Sequence, residues 1–396
     1  MFTQGQSVCH ICKSTLLEIS DFSIFSQVTS DCRLWKKSGH LAVCNTCGIV
    51  QKPVNKISLQ DVGVIYSEYE VYSQSGGIDQ STFDPLSGYV TSRSMKLVEW
   101  LITHYNISVG GRILDIGCGN GAFLHAFASS CPGWLITGLD LDDRSRAILE
   151  KIPGFEALHI GFVNGFAQHF DIISLIHTLE HIPDPINFLG EVKNKLLPGG
   201  VLLIETPNLT TSPFDILIAD HCSHFTANAL KYILEQALFD VIFMQEDYID
   251  KEVTVLAQAK DFGRDMISRE NTKNKFIIDV TETTDIVFMH INYLKSLCEL
   301  ANSICGEIGI FGTSIAGTWL AGCVIDKVKF FVDEDINQQG RYHLGKPIIS
   351  PSSTKRGDLV MLPFSPDTAL KIARRLSHCN CCFVLPPLHK PSSQVF

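Results

Sequence analysis

Three things are scarce in this chain. No apolar run approaches the roughly 18 to 20 residues that cross a bilayer, and no basic stretch at its start leads into a hydrophobic one, so neither a membrane span nor a secretory leader is expected. Cations are the third shortage: 32 Lys and Arg face 42 Asp and Glu, for a formal net charge of -10. Affinity for nucleic acid rests largely on Lys and Arg neutralising phosphates, so this balance weighs against a nucleic-acid partner. The expectation is a soluble cytoplasmic protein, monomeric or homodimeric, engaging neither membrane nor nucleic acid. At roughly 100 to 200 residues per domain, 396 residues imply two or three domains.

Cysteine is abundant, with 14 in the chain. In a small secreted protein that count would suggest a disulfide framework, whereas here free thiols and metal ligands are expected. Cys9-His10-Ile11-Cys12 and Cys44-Asn45-Thr46-Cys47 form two Cys-x-x-Cys knuckles, with Gly48 supplying a turn after the second. Four thiolates at this spacing suit a closed, tetrahedral, structural Zn2+ site. Cys32 and His40 lie between the pairs as possible substitutes, and a redox dithiol is the other reading. Cys118, Cys131, Cys298, Cys305 and Cys323 stand among apolar neighbours and read as packing residues. Cys379, Cys381 and Cys382 would suit a second metal, but Cys381 to Leu385 reads more simply as a last strand, and the three are assigned no chemistry.

The densest signal lies at Arg112 to Leu124. An apolar strand ending in Asp115 runs into Gly117-Cys118-Gly119-Asn120-Gly121 and a helix start, and a second strand, Leu135 to Asp140, ends on a carboxylate. Glycines allow a sharp turn and close approach of a ligand, and an acid at the tip of the second strand can take both hydroxyls of a ribose. This is an adenosine-binding layout. The loop lacks the Gly-x-Gly-x-x-Gly spacing that presents a helix N-terminus to pyrophosphate, which leaves hydride transfer from a nicotinamide cofactor as the weaker alternative.

Further along, Phe170 to Ile176 reads as a fourth strand, followed by the loop His177-Thr178-Leu179-Glu180-His181-Ile182-Pro183, a helix closed by Pro198-Gly199-Gly200, and a fifth strand, Val201 to Thr206. With the glycine loop, in this order and spacing, these motifs resemble class I S-adenosylmethionine-dependent methyltransferases. The resemblance implies S-adenosylmethionine as cofactor, with Asp115, Gly117, Gly119, Gly121, Asp140 and Leu141 at its site and His177 as a weaker candidate. Such enzymes often carry an acid after the third strand to hold the adenine amine. Here the stretch is His159 to Gly165, which leaves Asn164 or a backbone group.

Before this core lies Val64 to Gly77, rich in Tyr and Ser, a loop or linker that includes Tyr72 and Ser73 as cofactor candidates. After it, Glu307 to Leu320 is again strand, glycine turn and helix, Val328 to Asp335 is a strand ending in acids, and Gly357 to Pro363 holds a later strand. Gly312 to Thr318 is either a nucleotide contact or a structural turn, and Gly340 to Pro347 offers cations to a diphosphate or to solvent. The whole order resembles the three-domain sugar C-methyltransferases that act on nucleotide-linked deoxysugars. The expected fold is therefore α/β: a Rossmann-like class I methyltransferase core with a small N-terminal zinc-binding domain and a second C-terminal Rossmann-like domain. The expected bounds are 1–75, 76–265 and 266–396, the last unit closing the substrate cleft.

The catalytic candidates follow the fifth strand, in Asp220-His221-Cys222-Ser223-His224-Phe225-Thr226. In the resembling family this place reads Tyr-x-Glu-His and then Ser-Tyr-Phe-Ser. That puts Asp220 on the Glu, His221 on the His, Ile218 where Tyr would stand and His224 in place of an aromatic residue. Transfer of a methyl group from sulfonium to carbon or oxygen requires a proton to leave the acceptor, and a histidine oriented by a carboxylate is a suitable base near neutral pH. His221 is therefore expected as base, oriented by Asp220, with His181 and His224 on the acceptor. A small-molecule acceptor, a nucleotide sugar by resemblance, is the expected partner. O-methylation of a hydroxyl and a noncatalytic cofactor-binding scaffold are the competing readings.

Overall fold

The computed structural model describes residues 8–69, 79, 81–260 and 279–388. Its centre is a seven-stranded sheet: β1 (Arg112–Ile116), β2 (Leu135–Asp140), β3 (Phe155–Ile160), β4 (Phe170–Ile176), β5 (Leu196–Pro207), β6 (Phe239–Glu246) and β7 (Glu252–Ala259). The spatial order is 3-2-1-4-5-7-6. Strands 1 to 5 run parallel and β7 and β6 close the sheet antiparallel. Ile113, Leu114, Ile172, Ile173 and Leu175 are fully buried, as a parallel strand covered on both faces requires. The helix Arg93–His104 starts where Ser92 accepts from the Met95 amide and lays Leu97, Val98, Trp100 and Leu101 against this core. Strand order reverses between β1 and β4, so the crevice at their carboxyl ends is a topological switch point. The loops after β1, β2, β4 and β5 all open there.

A smaller sheet joins Leu16–Glu18, Ala42–Cys44, Val50–Gln51 and Ser223–His224, all antiparallel. Its last strand comes from the segment after β5, far away in sequence. A separate hairpin, Ser26–Val28 with Leu34–Ser38, turns toward the C-terminal part of the chain. There Phe25 and Phe214 both meet the buried Trp319 edge-on, at ring-centroid distances of 5.9 and 6.0 Å. The N-terminal hairpin, the segment after β5 and the C-terminal unit thus share one hydrophobic core that includes Phe22, Val28, Leu217, Leu294 and Trp319.

The C-terminal unit is a second parallel-rich sheet, ordered Tyr342–His343, Lys346–Ile349, Val328–Val332, Ile308–Phe311, Leu359–Met361 and Cys382–Val384. Only the Tyr342–His343 edge is antiparallel. The expected strands are present, as is the glycine turn before the helix Ile315–Cys323. Cys118 and Cys131 are buried as expected, but Cys305 is exposed, because it lies beyond the end of the helix Val280–Ser303 and loses the apolar cover of that helix. No helix among the described residues is long and apolar enough to cross a membrane.

Gly317 shows how tightly the second glycine turn is drawn. A Cβ there would stand 2.0 Å from the Gly312 carbonyl oxygen, a backbone atom that cannot step aside alone. Gly317→Ala should cost about 1–3 kcal/mol by overpacking. A lowered urea midpoint with unaltered affinity for S-adenosylhomocysteine is the expected reading, and an unmoved midpoint would show that the turn can open.

Candidate active site at the carboxyl edge of the central sheet

Gly117, Gly119 and Gly121 all have positive φ, at 75°, 52° and 78°. At Gly117 a Cβ would meet the Thr178 hydroxyl at 2.4 Å, so only glycine lets this turn lie against the loop after β4. Asp140 closes the other side. Its two oxygens accept the Gly119 amide at 2.8 Å and the Leu141 amide at 2.6 Å, which joins the tips of β1 and β2 through one carboxylate. Each oxygen retains a lone pair, so the acid can still take ribose hydroxyls. Asp115, on β1, is buried and accepts from Ser174 at 2.7 Å; burial pushes its carboxyl up to about 7. Leu141, Ile160 and Phe162 are exposed at the neighbouring strand tips, with Gly161 bonded to the Asp140 carbonyl, and Asn164 lies in the one-turn helix Val163–Gly165.

His177 sits at the end of β4 with φ 49°, a strained conformation for a residue with a side chain. Its Nδ1 donates to Glu180 at 3.1 Å, and its Nε2 stands 3.7 and 3.6 Å from Glu205 and Glu252. Arg93 binds Glu205 through Nε and Nη2 at 2.9 and 2.6 Å and reaches Glu252 at 3.1 Å. Burial lifts the Glu252 carboxyl to about 7. Buried oxygens of Glu205 and Glu252 and His177 Nε2 have no hydrogen-bond partner, as polar groups built to meet a ligand would. The sequence reading missed Arg93, Glu205 and Glu252. The available signal was a single acid ending the apolar run Val201 to Ile204. Tyr72 and Ser73 lie outside the described residues.

The loop after β4 connects both halves of the site. On one side the Thr178 hydroxyl donates to the Ile116 carbonyl at 2.9 Å; on the other the Glu180 carbonyl accepts the Cys222 amide at 2.9 Å. His181, His221 and His224 gather beyond it. The rings of His181 and His221 meet edge to face at 4.6 Å, and Tyr66 stands 6.1 Å from His181. Tyr66 thus brings a phenol toward the histidines from a different part of the chain than position 218.

The orienting acid differs from the expectation. Asp215, not Asp220, contacts His221: its two oxygens accept from His221 Nδ1 at 2.7 Å and from His224 Nδ1 at 2.6 Å. Asp220 instead accepts the amide and hydroxyl of Ser30 at 2.9 and 2.5 Å, and its carbonyl accepts from His181 Nδ1 at 3.0 Å. Adjacent side chains leave the backbone in different directions, so the neighbour in sequence turns away. Asp215 is held well below the usual carboxylate range: burial opposes its charge, but the positive field of His224 and the bonds from both rings prevail. For His221, burial disfavours the cation while the bond and charge of Asp215 favour it, and the net shift is upward. Burial dominates at His224 and His181, which are shifted downward. Glu180 lies at about 2, with burial opposed by His177. His224 Nε2 is buried without a partner.

The four cysteines converge. Cys9 and Cys47 have sulfurs 3.6 Å apart, Cys12 and Cys44 3.4 Å, and all four thiols lie within 4.8 Å of one another. A tetrahedron with metal–sulfur bonds of about 2.3 Å has edges of roughly 3.8 Å, so the set fits Zn2+. The amides of Thr46 and Cys47 point at Cys44 Sγ from 3.4 and 3.5 Å, and Gly48 turns the chain at φ 64°. Neither Cys32 nor His40 belongs to this cluster.

This is the sheet topology of a class I methyltransferase. Residues 94–242 match the family described as "Methyltransferase domain", so the chain carries an S-adenosylmethionine-dependent methyltransferase domain there. Curated relatives include a ubiquinone biosynthesis O-methyltransferase of Actinobacillus pleuropneumoniae, 31% identical over 121 residues, which are 28% of this chain and 51% of that protein. Another is the ubiquinone biosynthesis O-methyltransferase of Pasteurella multocida, 26% identical over 168 residues, 38% and 67% of the two chains. The chain spans about half the length of the first of these relatives. Among solved structures, the mitomycin 7-O-methyltransferase MmcR aligns at TM-score 0.38 and 17% identity, covering 42% of this chain and 54% of that one. An S-adenosylmethionine-dependent methyltransferase from Clostridium acetobutylicum aligns at 0.36 and 13%, covering 52% and 99%.

Because the bond and charge of Asp215 favour the protonated form of His221, Asp215→Asn should lower the His221 pKa, and Asp220→Asn should lower it less. Histidine ring resonances followed by NMR through a pH titration report both; a larger fall in the Asp220 variant would return the orienting role to that residue.

Proposed function

We propose that this chain transfers a methyl group from S-adenosylmethionine to a small-molecule acceptor. The observation that carries the reading is the buried Asp215–His221 couple, linked through the Glu180 loop to the glycine turn at the same sheet edge. The cofactor, when bound, supplies an electrophilic methyl on a sulfonium. Asp140 would take its ribose hydroxyls, Asp115 its amino group, and Leu141 and His177 would lie beside it. His221, bonded to Asp215 through Nδ1, would receive the acceptor's proton at Nε2, and Asp215 would hold the resulting imidazolium. His181 and His224 would contact the acceptor, with Asp220 fixing His181 through its backbone carbonyl. We also assign Zn2+ to Cys9, Cys12, Cys44 and Cys47 as a structural ion.

The acceptor we favour is a sugar or sugar-like molecule, nucleotide-linked, methylated at carbon, as in the three-domain family the motif order resembles. The second C-terminal unit, whose helix Ile315–Cys323 packs through Trp319 on Phe214 just before Asp215, supports that reading. O-methylation of a hydroxyl is the second reading: the curated relatives over the core are named O-methyltransferases, and a histidine–carboxylate couple suits removal of a hydroxyl proton. Native mass spectrometry with S-adenosylmethionine and with S-adenosylhomocysteine, followed by a panel of nucleotide sugars and free polyols scored for methylated product, tests the reading. One bound cofactor with product from a sugar supports it; no cofactor adduct overturns it, and cofactor binding without turnover on any acceptor moves the chain to a binding role.

Two outcomes are expected. Asp115 sits at about 7 because it is buried, and a bound ammonium favours its charged form, so binding should release protons and affinity for S-adenosylhomocysteine should rise from pH 6 to 8. Calorimetry in two buffers of different ionisation enthalpy measures this, and affinity flat or falling with pH would remove Asp115 from the amino group. Cys44→Ser should release the metal and loosen the small sheet, read as lost zinc by elemental analysis; a retained equivalent of zinc would place the ion elsewhere.

A further inference from the structure

The small sheet does more than carry cysteines. Its fourth strand is Ser223–His224, paired antiparallel to Val50–Gln51 with Ser223 opposite Gln51 and His224 opposite Val50. His10, inside the first cysteine knuckle, pairs through Nε2 with the Ser223 hydroxyl at 2.8 Å, while its own amide donates to Gln51 Oε1 at 3.0 Å. The Lys52 amide donates to the Cys222 carbonyl at 3.1 Å, and its buried ammonium donates to the Ile218 carbonyl. From the neighbouring turn, Ser30 holds Asp220 twice. Ile218, Asp220, Cys222, Ser223 and His224 are therefore each tied to residues between His10 and Lys52.

We infer that His10 and Lys52 are positioning residues for the Asp215–His221–His224 array, and that the four-cysteine knuckle sets the geometry of the acceptor half of the site through the strand Ser223–His224. The inference rests on the methyltransferase reading and on the zinc assignment. Its physical basis is register. Strand pairing fixes which way His224 points, because a slip of one residue would turn its side chain to the opposite face. The His10–Ser223 bond and the Lys52 contacts lock that register from both ends, and a displaced base loses rate steeply, on the order of a hundredfold for an ångström. The cofactor half makes none of these contacts: it is built from the turns after β1 and β2, which bond to each other. The device should therefore separate acceptor chemistry from cofactor binding.

The test uses the full chain with zinc bound. His10→Ala should leave one zinc and an unchanged Kd for S-adenosylhomocysteine, lower kcat roughly ten- to hundredfold, and shift the His221 and His224 ring resonances in the 15N-histidine NMR spectrum. His10→Gln, whose side-chain amide can reach Ser223 again, should recover most of both. Ser223→Ala removes the same bond from the other partner without touching the knuckle and should reproduce the Ala result. Chelation of the metal should move the same two resonances while cofactor binding persists. Unshifted resonances in His10→Ala and Ser223→Ala overturn the inference, as does parallel loss of cofactor binding, which would mark a general folding defect. Because the spectra need no acceptor, a protein that turns over no tested substrate still decides the question, and a protein that holds no zinc refutes the metal assignment while the His10 and Ser223 variants remain readable.

Discussion

The acceptor half of the proposed site depends on one carboxylate placed between two buried imidazoles. Asp215 is nearly inaccessible, and a charge in such a place is tolerated only when it is paired and hydrogen-bonded. His221 and His224 satisfy one oxygen each. Burial disfavours the cation at both rings and wins at His224, whereas His221, which also feels Glu180 and Asp220, is shifted upward and is the ring better able to hold a proton taken up at Nε2. A base already bonded to an anion through Nδ1 has its tautomer and its direction settled before any acceptor arrives.

What holds Asp215 itself is long-range. It begins a single turn, Asp215–Leu217, whose continuation is pinned where the Ala219 amide donates to the Val28 carbonyl at 2.7 Å and Ile218 bridges to Val28. Phe214, just before it, packs on Trp319 and Tyr293 of the C-terminal unit. The two imidazoles descend from the other end of the same segment, where the small sheet captures Ser223–His224. The N-terminal and C-terminal parts therefore grip opposite ends of one short stretch of chain, and the distance between Asp215 and His224 is what they jointly set.

That division explains which parts were legible in the sequence. The cofactor half is made by strand, turn and helix over a few consecutive residues, so Asp115, the three glycines and Asp140 announce themselves by local spacing. The four cysteines do so as well, because each knuckle is itself a local motif. The C-terminal strands were readable from a repeated strand–glycine–helix order. Asp215 was not, since its role follows from contacts with residues elsewhere in the chain. Asp220 was preferred because the motif of the resembling family puts it on the Glu beside the His, yet chain adjacency rarely produces facing side chains. A two-residue strand such as Ser223–His224 has no period to detect. A signal for the missed acids did exist: Glu205 ends an apolar strand and Asp215 interrupts Phe214-Asp215-Ile216-Leu217, and a lone acid in an apolar run must be buried with a partner.

The two glycine turns of the chain use their acids differently, and the difference indicates what the second sheet does here. In the first, Asp140 is held by backbone amides alone, so each oxygen keeps capacity for a ligand. In the second, Asp333 at the end of the corresponding strand accepts the Thr313 hydroxyl at 2.9 Å, and Thr318 in the following helix pairs with His343 at 2.8 Å. Those polar groups serve one another within the unit. The outward investment of that helix is apolar: Trp319 takes Phe25 from the N-terminal hairpin and Phe214 from the segment that carries Asp215. The second unit thus repeats the architecture of the first while its contacts across the chain go to the element that carries Asp215, which couples it by packing to the proposed acceptor site.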